Sequence, residues 1–133
     1  MDKSFSITFQ VEPSSIDDLG HVNNVNYLIW VQEIAEKHWS NLTNPSIENN
    51  YIWVVLRHEI DYFSAAFKDD QIILKTWIGD SYGIKSERHV EVIRNGKVIC
   101  KAKTIWCLLD KISMKPVRIP TEISKLLTTN KII

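Results

Sequence analysis

Apolar and polar side chains alternate through residues 4–11, with Phe5, Ile7, Phe9 and Val11 on one side and Ser4, Ser6, Thr8 and Gln10 on the other. A period of two predicts a half-buried strand. Pro13-Ser14-Ser15 breaks the pattern, and Asp17-Asp18-Leu19-Gly20 reads as a turn inside a polar loop over residues 12–22. From Asn23 or Asn24, either of which suits an N-cap, to about Leu42 the apolar set changes period: Tyr27/Leu28, Val31, Ile34/Ala35, His38/Trp39 and Leu42. That spacing predicts a long helix. Val25, Ile29 and Trp30 occupy the remaining faces of its first half, which is therefore expected to be buried nearly all round. Glu33, Glu36 and Lys37 mark the second half as partly solvated.

Alternation returns at Ile52 and runs to Phe63, and further strands are expected over residues 71–79, 82–94 and 97–109. Asn95-Gly96 links the last two and predicts a two-residue hairpin, because both positions must accept positive φ. Pro116 and Pro120 precede a short helix expected over residues 121–127. One strand, one helix and four strands joined by short turns imply an α+β domain spanning 1–133, in which a curved antiparallel five-stranded sheet wraps a long central helix.

Composition narrows the function. The 133 residues carry 16 Lys+Arg against 16 Asp+Glu, so there is no broad positive field to draw nucleic acid. No apolar run approaches the ~18 residues of a membrane span, and Met1-Asp2-Lys3-Ser4 leads into the first strand without a signal-type apolar region. A cytoplasmic protein with no membrane span is expected. Cys100 and Cys107 are the only cysteines; their odd separation argues against a mutual disulfide. His58 lies on the apolar face of its strand pattern, where a packed core histidine is the ordinary explanation, and His38 and His89 are spread too far for a metal site; no metal or cofactor is expected. No serine elbow or phosphate-cradling glycine loop is present.

The stretch from Asp17 to Tyr27 concentrates polar groups where a strand hands over to a helix start. Thioester hydrolysis needs a donor for the oxygen that becomes negative, and a group that attacks the carbonyl or draws a proton from water. Free N–H groups at a helix start supply the first, and a carboxylate or imidazole the second. The plainer reading is that Asp17 and Gly20 shape a turn, His21 packs and an asparagine caps the helix. On residue types alone, the plainer reading has the greater weight.

The segment Asp17-Asp18-Leu19-Gly20-His21-Val22-Asn23-Asn24 closely resembles the signature of the 4-hydroxybenzoyl-CoA thioesterase-like family of hotdog acyl-CoA thioesterases. Its Gly-His-Val-Asn-Asn-x-x-Tyr form also resembles acyl-ACP thioesterases. The likeness continues through the helix, through His58-Glu59-Ile60-Asp61-Tyr62 with Ala66 and Asp70, and through Lys115 to Pro120. It implies a hotdog fold and cleavage of acyl-CoA to free acid and CoA. Asp17, three residues before Gly20, matches the catalytic carboxylate, as nucleophile or general base; Asp18 is the neighbouring alternative. The Asn24 N–H matches the group that polarises the thioester carbonyl, and His21 with Asn23 would orient or activate water. Gly20, Asn23, Tyr27 and Glu59 are the expected substrate contacts, with Tyr27 lining the acyl pocket. For Glu59, pairing with Arg57 on a solvent face is the stronger alternative.

Ser15 stands where many relatives carry a further aspartate, and Leu19 where acyl-ACP thioesterases place an asparagine; the second departure favours acyl-CoA or another small thioester over an acyl carrier protein. The resemblance also implies a homodimer or a dimer of dimers. Two rivals share the fold: an enoyl-thioester hydratase pairing His21 with Asp17, and a binder of acyl thioesters that does not turn them over.

Overall fold

The computed structural model describes residues 3–131. The elements are β1 (Phe5–Gln10), a single 3-10 turn (Pro13–Ser15), α1 (Asn24–Leu42), α2 (Pro45–Asn50), β2 (Tyr51–Tyr62), β3 (Gln71–Tyr82), β4 (Lys85–Arg94), β5 (Lys97–Asp110) and α3 (Thr121–Thr129). The strands form one five-stranded sheet in the order β1-β3-β4-β5-β2, antiparallel throughout. With α1 packed on one face, this is the hotdog architecture.

The alternation seen in the sequence is what seats the helix. Ile72, Leu74 and Thr76 of β3 and Val90 and Val92 of β4 are buried, and the apolar ones join Tyr27, Trp30, Val31 and Ile34 of α1 in one core. Ile34 is fully buried, so Ile34→Ala would cost about 2–5 kcal/mol in lost transfer energy and cavity. A second cluster forms beyond the C-terminal half of α1, from Ile47 of α2, Ile78, Leu108, and Ile123 and Leu127 of α3.

Asn95 and Gly96 both take positive φ, 51° and 74°, as the hairpin requires. Other boundaries differ from expectation. The break expected near residues 80–81 is a shift of register between Ile78 and Ser81, and β3 continues to Tyr82, turning at Gly83. A Cβ on Gly79 would stand 2.9 Å from His89 Nε2, so the glycine there admits a close cross-strand ring rather than ending the strand. The sequence pattern assigned no element to α2, although Asn44 caps it by accepting the Ile47 N–H at 2.9 Å and Pro45 opens it.

The first half of α1 is not buried nearly all round. Val25 is 59% and Ile29 44% exposed. The sheet covers one side of the helix, and the other side lies open in the single chain; Leu56, Tyr62 and Phe63 are exposed as well. Cys100 and Cys107 are both free and buried.

Candidate active site

The loop before α1 closes on itself. Asp17 N–H donates to the His21 carbonyl at 2.9 Å, Gly20 N–H donates to the Asp17 carbonyl at 3.0 Å, and Ile16 and Val22 form an antiparallel bridge. Gly20 sits at φ 83°, the left-handed position that ends a three-residue hairpin loop. Asp17 and Gly20 thus shape the turn, as the plainer reading expects.

Within this loop, Asp17 Oδ1 accepts the Leu19 N–H at 2.9 Å, and Oδ2 lies 3.7 Å from His21 Nδ1. The same Nδ1 is 3.3 Å from the Val22 carbonyl oxygen. Both neighbours are acceptors, so a neutral His21 ring carries its proton on Nδ1 and presents Nε2 as a base. Both side chains remain partly open to solvent, 24% for Asp17 and 31% for His21.

The helix start adds the donor. Asn23 is the cap: its side-chain oxygen accepts the Val25 N–H at 3.0 Å and its carbonyl accepts the Asn26 N–H at 2.9 Å. The Asn24 N–H is left without a protein partner among the described residues, at the positive end of a 19-residue helix. Asn23 N–H and Asn26 Nδ2 both donate to the Ser15 carbonyl, at 2.9 and 3.2 Å, which fixes the loop to the helix.

Tyr27 is buried, 1% exposed. Its hydroxyl accepts the Ala66 N–H at 3.0 Å, its ring meets Trp30 and Tyr62 edge to face, and burial raises its pKa. Its observed contacts are core contacts. Glu59 lies on β2 in an exposed ion pair, Oε1 2.7 Å from Arg57 Nη2. The strand itself does reach the helix start, where the Tyr62 hydroxyl donates to the Asn24 carbonyl at 3.4 Å. Asp17, Gly20, His21, Asn23 and Asn24 are brought together; Glu59 has no described contact with them.

The support under the site was not legible as such. Val22 N–H donates to the Ala66 carbonyl at 2.8 Å, so the segment after β2 carries the loop. Arg94 pins that segment by donating to the Ala65 carbonyl, lying 3.5 Å from Asp70 and stacking its guanidinium over Phe67. Only Ala66 and Asp70 carried any signal, through the family pattern.

A cleft of ≈ 390 Å³ opens at the other end of α1, between Ala35, Trp39 and Ser40 and residues of β2, β4 and β5. It does not include the Asp17 loop.

A family model described as the acyl-ACP thioesterase N-terminal domain matches residues 2–127. The chain belongs to this family. It is 27% identical over 127 residues to Acyl-CoA thioesterase YbgC of Haemophilus influenzae, covering 92% of this chain and 93% of that protein. Among solved structures, a predicted thioesterase from Bacillus stearothermophilus superposes with a TM-score of 0.88 at 20% identity, over 97% of each chain. An acyl-ACP thioesterase from Bacteroides thetaiotaomicron superposes with a TM-score of 0.83 at 23% identity, over 94% of this chain and 53% of that one. These likenesses establish the hotdog fold, and family membership supports thioesterase-type hydrolysis. The match to the acyl-ACP family holds despite Leu19 in place of its asparagine.

Proposed function

We propose that the protein hydrolyses acyl-CoA to free acid and CoA, with Asp17 as nucleophile or general base and the Asn24 N–H as the oxyanion donor. The observation that carries this is the juxtaposition of an open carboxylate and imidazole, 3.7 Å apart, with an amide at the start of α1 that has no partner among the described residues. As general base, Asp17 removes a proton from water while the oxygen attacks the thioester carbonyl. The oxyanion is held by the Asn24 N–H until the C–S bond breaks, and the proton held on Asp17 passes to the departing thiolate. As nucleophile, Asp17 would instead attack the carbonyl and expel the CoA thiolate as the C–S bond breaks, forming a mixed anhydride that water then cleaves to free acid and the Asp17 carboxylate, the proton released from water going to the thiolate. His21, with Nε2 free, orients the water in either course.

CoA rather than a carrier protein is favoured by Leu19 and by the full-length likeness to the acyl-CoA enzyme of Haemophilus influenzae. The family match favours acyl-ACP as the second reading. We further propose a homodimer, or a dimer of two such dimers. It is supported by the exposed apolar set Val25, Ile29, Leu56 and Phe63 and by the 12-residue β2 at a sheet edge, a combination that an unpaired chain would leave prone to association. Thiol release from matched acyl-CoA and acyl-ACP substrates tests the reading: faster turnover of the CoA esters supports it, and turnover of acyl-ACP alone overturns the choice of carrier.

A further inference from the structure

Arg88 is a buried cation without a counter-ion. It is 7% exposed, and no carboxylate among the described residues lies within ion-pair distance of it. Its Nη1 donates to His38 Nδ1 at 2.8 Å and to Thr76 Oγ1 at 3.2 Å. Neither partner carries negative charge, and His38, its pKa lowered to about 4 by burial and then by Arg88 itself, is neutral at pH 7. Burial lowers the Arg88 pKa to about 10, which leaves it charged at neutral pH. A desolvated charge in this state is costly unless something pairs with it.

Arg88 lines the cleft beside the C-terminal half of α1. Trp106 is in the same wall, and its indole Nε1 is buried with no hydrogen-bond partner among the described residues. Arg88, with no counter-ion, and Trp106, whose Nε1 has no acceptor among the described residues, thus line one cavity, whose remaining walls include Trp39, Trp53 and Leu127. Its ≈ 390 Å³ falls in the usual range for a small-molecule site, about 300–1,000 Å³. The rim carries the exposed carboxylates of Glu36 and Glu48, with the Lys111 ammonium donating to the Glu48 carbonyl at 3.0 Å. That rim repels a polyanion such as a nucleotide phosphate chain more than a single charge.

We propose that this cleft binds a small organic monocarboxylate with an apolar body, its carboxylate pairing with Arg88 and accepting from Trp106, and its body against the tryptophans. The site is roughly 20 Å along α1 from the Asn24 amide of the same chain, and it requires nothing of the thioester reading.

Tryptophan fluorescence of the full chain, titrated at pH 7 with octanoate, 1-octanol and inorganic phosphate, tests it. Octanoate should bind saturably and at least tenfold more tightly than octanol, without competition from equimolar phosphate. Arg88→Met should weaken octanoate at least tenfold and leave octanol unchanged, and Trp106→Phe should weaken octanoate severalfold. Equal affinity for octanoate and octanol, effective competition by phosphate, or undiminished octanoate binding by folded Arg88→Met overturns the proposal. Should circular dichroism show Arg88→Met unfolded, the wild-type preference together with Trp106→Phe decides: loss of affinity in that variant supports the site, and unchanged affinity overturns it. Thioester cleavage is not read in any arm, so this test and that of Asp17 fail independently.

Discussion

The Tyr27 hydroxyl accepts the Ala66 N–H at 3.0 Å, and the Ala66 carbonyl in turn accepts the Val22 N–H at 2.8 Å. One residue of the segment after β2 thus joins the buried face of α1 to the loop that holds Asp17 and His21. Tyr27→Phe keeps the ring packing and leaves a buried N–H unpaired, so it should cost about 1–3 kcal/mol. Urea unfolding measures the loss, and a stability equal to wild type would show that this bond is not a support.

His38 makes stability depend on pH. Its folded pKa is lowered to about 4 from 6.5, by burial first and Arg88 second. Below pH 6.5 the unfolded chain binds a proton that the folded chain resists, so this contribution is fully present above that pH. It is lost as pH falls toward 4, by about 3 kcal/mol at the limit. His38→Gln, whose amide oxygen can still accept from Arg88, should flatten the stability profile between pH 6.5 and 4.5. Denaturation at a series of pH values checks this; an unchanged slope would contradict it.

Gly20 occupies φ 83° with open space where a Cβ would stand. Gly20→Ala should therefore carry only the left-handed strain, about 1–2 kcal/mol, while shifting Asp17 relative to His21. The expected result is a small fall in melting temperature with a larger fall in kcat/KM. Equal and small effects on both would mean the loop tolerates the change without consequence for the site.

Exposed Val25 and Ile29 stand on the uncovered side of α1. Val25→Glu with Ile29→Glu places charge on that surface without disturbing the core, so the double variant should remain folded and sediment as a monomer, and the wild type should sediment as the proposed dimer or larger. A variant of unchanged mass in solution would move the interface elsewhere.

Most of the architecture was legible because period dominates it: the switch from two to helical spacing and back marks β1, α1 and the long strands, and Asn95-Gly96 marks its hairpin. The misreadings have local causes. The third strand was expected to end at Gly79 because the approach of His89 across the sheet cannot be seen in one dimension. Val25 and Ile29 resembled core because an apolar residue facing solvent in one chain has the same letter as one facing a core. Around the site, the order Asp17, Gly20, His21, Asn24 was readable from the motif, whereas the roles of Ala66 and Arg94 depend on which backbone groups meet across the fold. The pairing of Arg88 with His38 was not legible, since nothing in their spacing marks a buried cation without a counter-ion among the described residues.

The central claim is that the Asp17 carboxylate does the chemistry beside the Asn24 amide. Free-thiol release from a panel of acyl-CoAs spanning chain length and aromatic character, compared between wild type and Asp17→Asn, tests it most directly. The carboxamide can still accept the Leu19 N–H that orders the loop, so the fold should be retained while turnover falls by about 10²–10⁴. Turnover by a folded Asp17→Asn equal to that of the wild type would contradict the account.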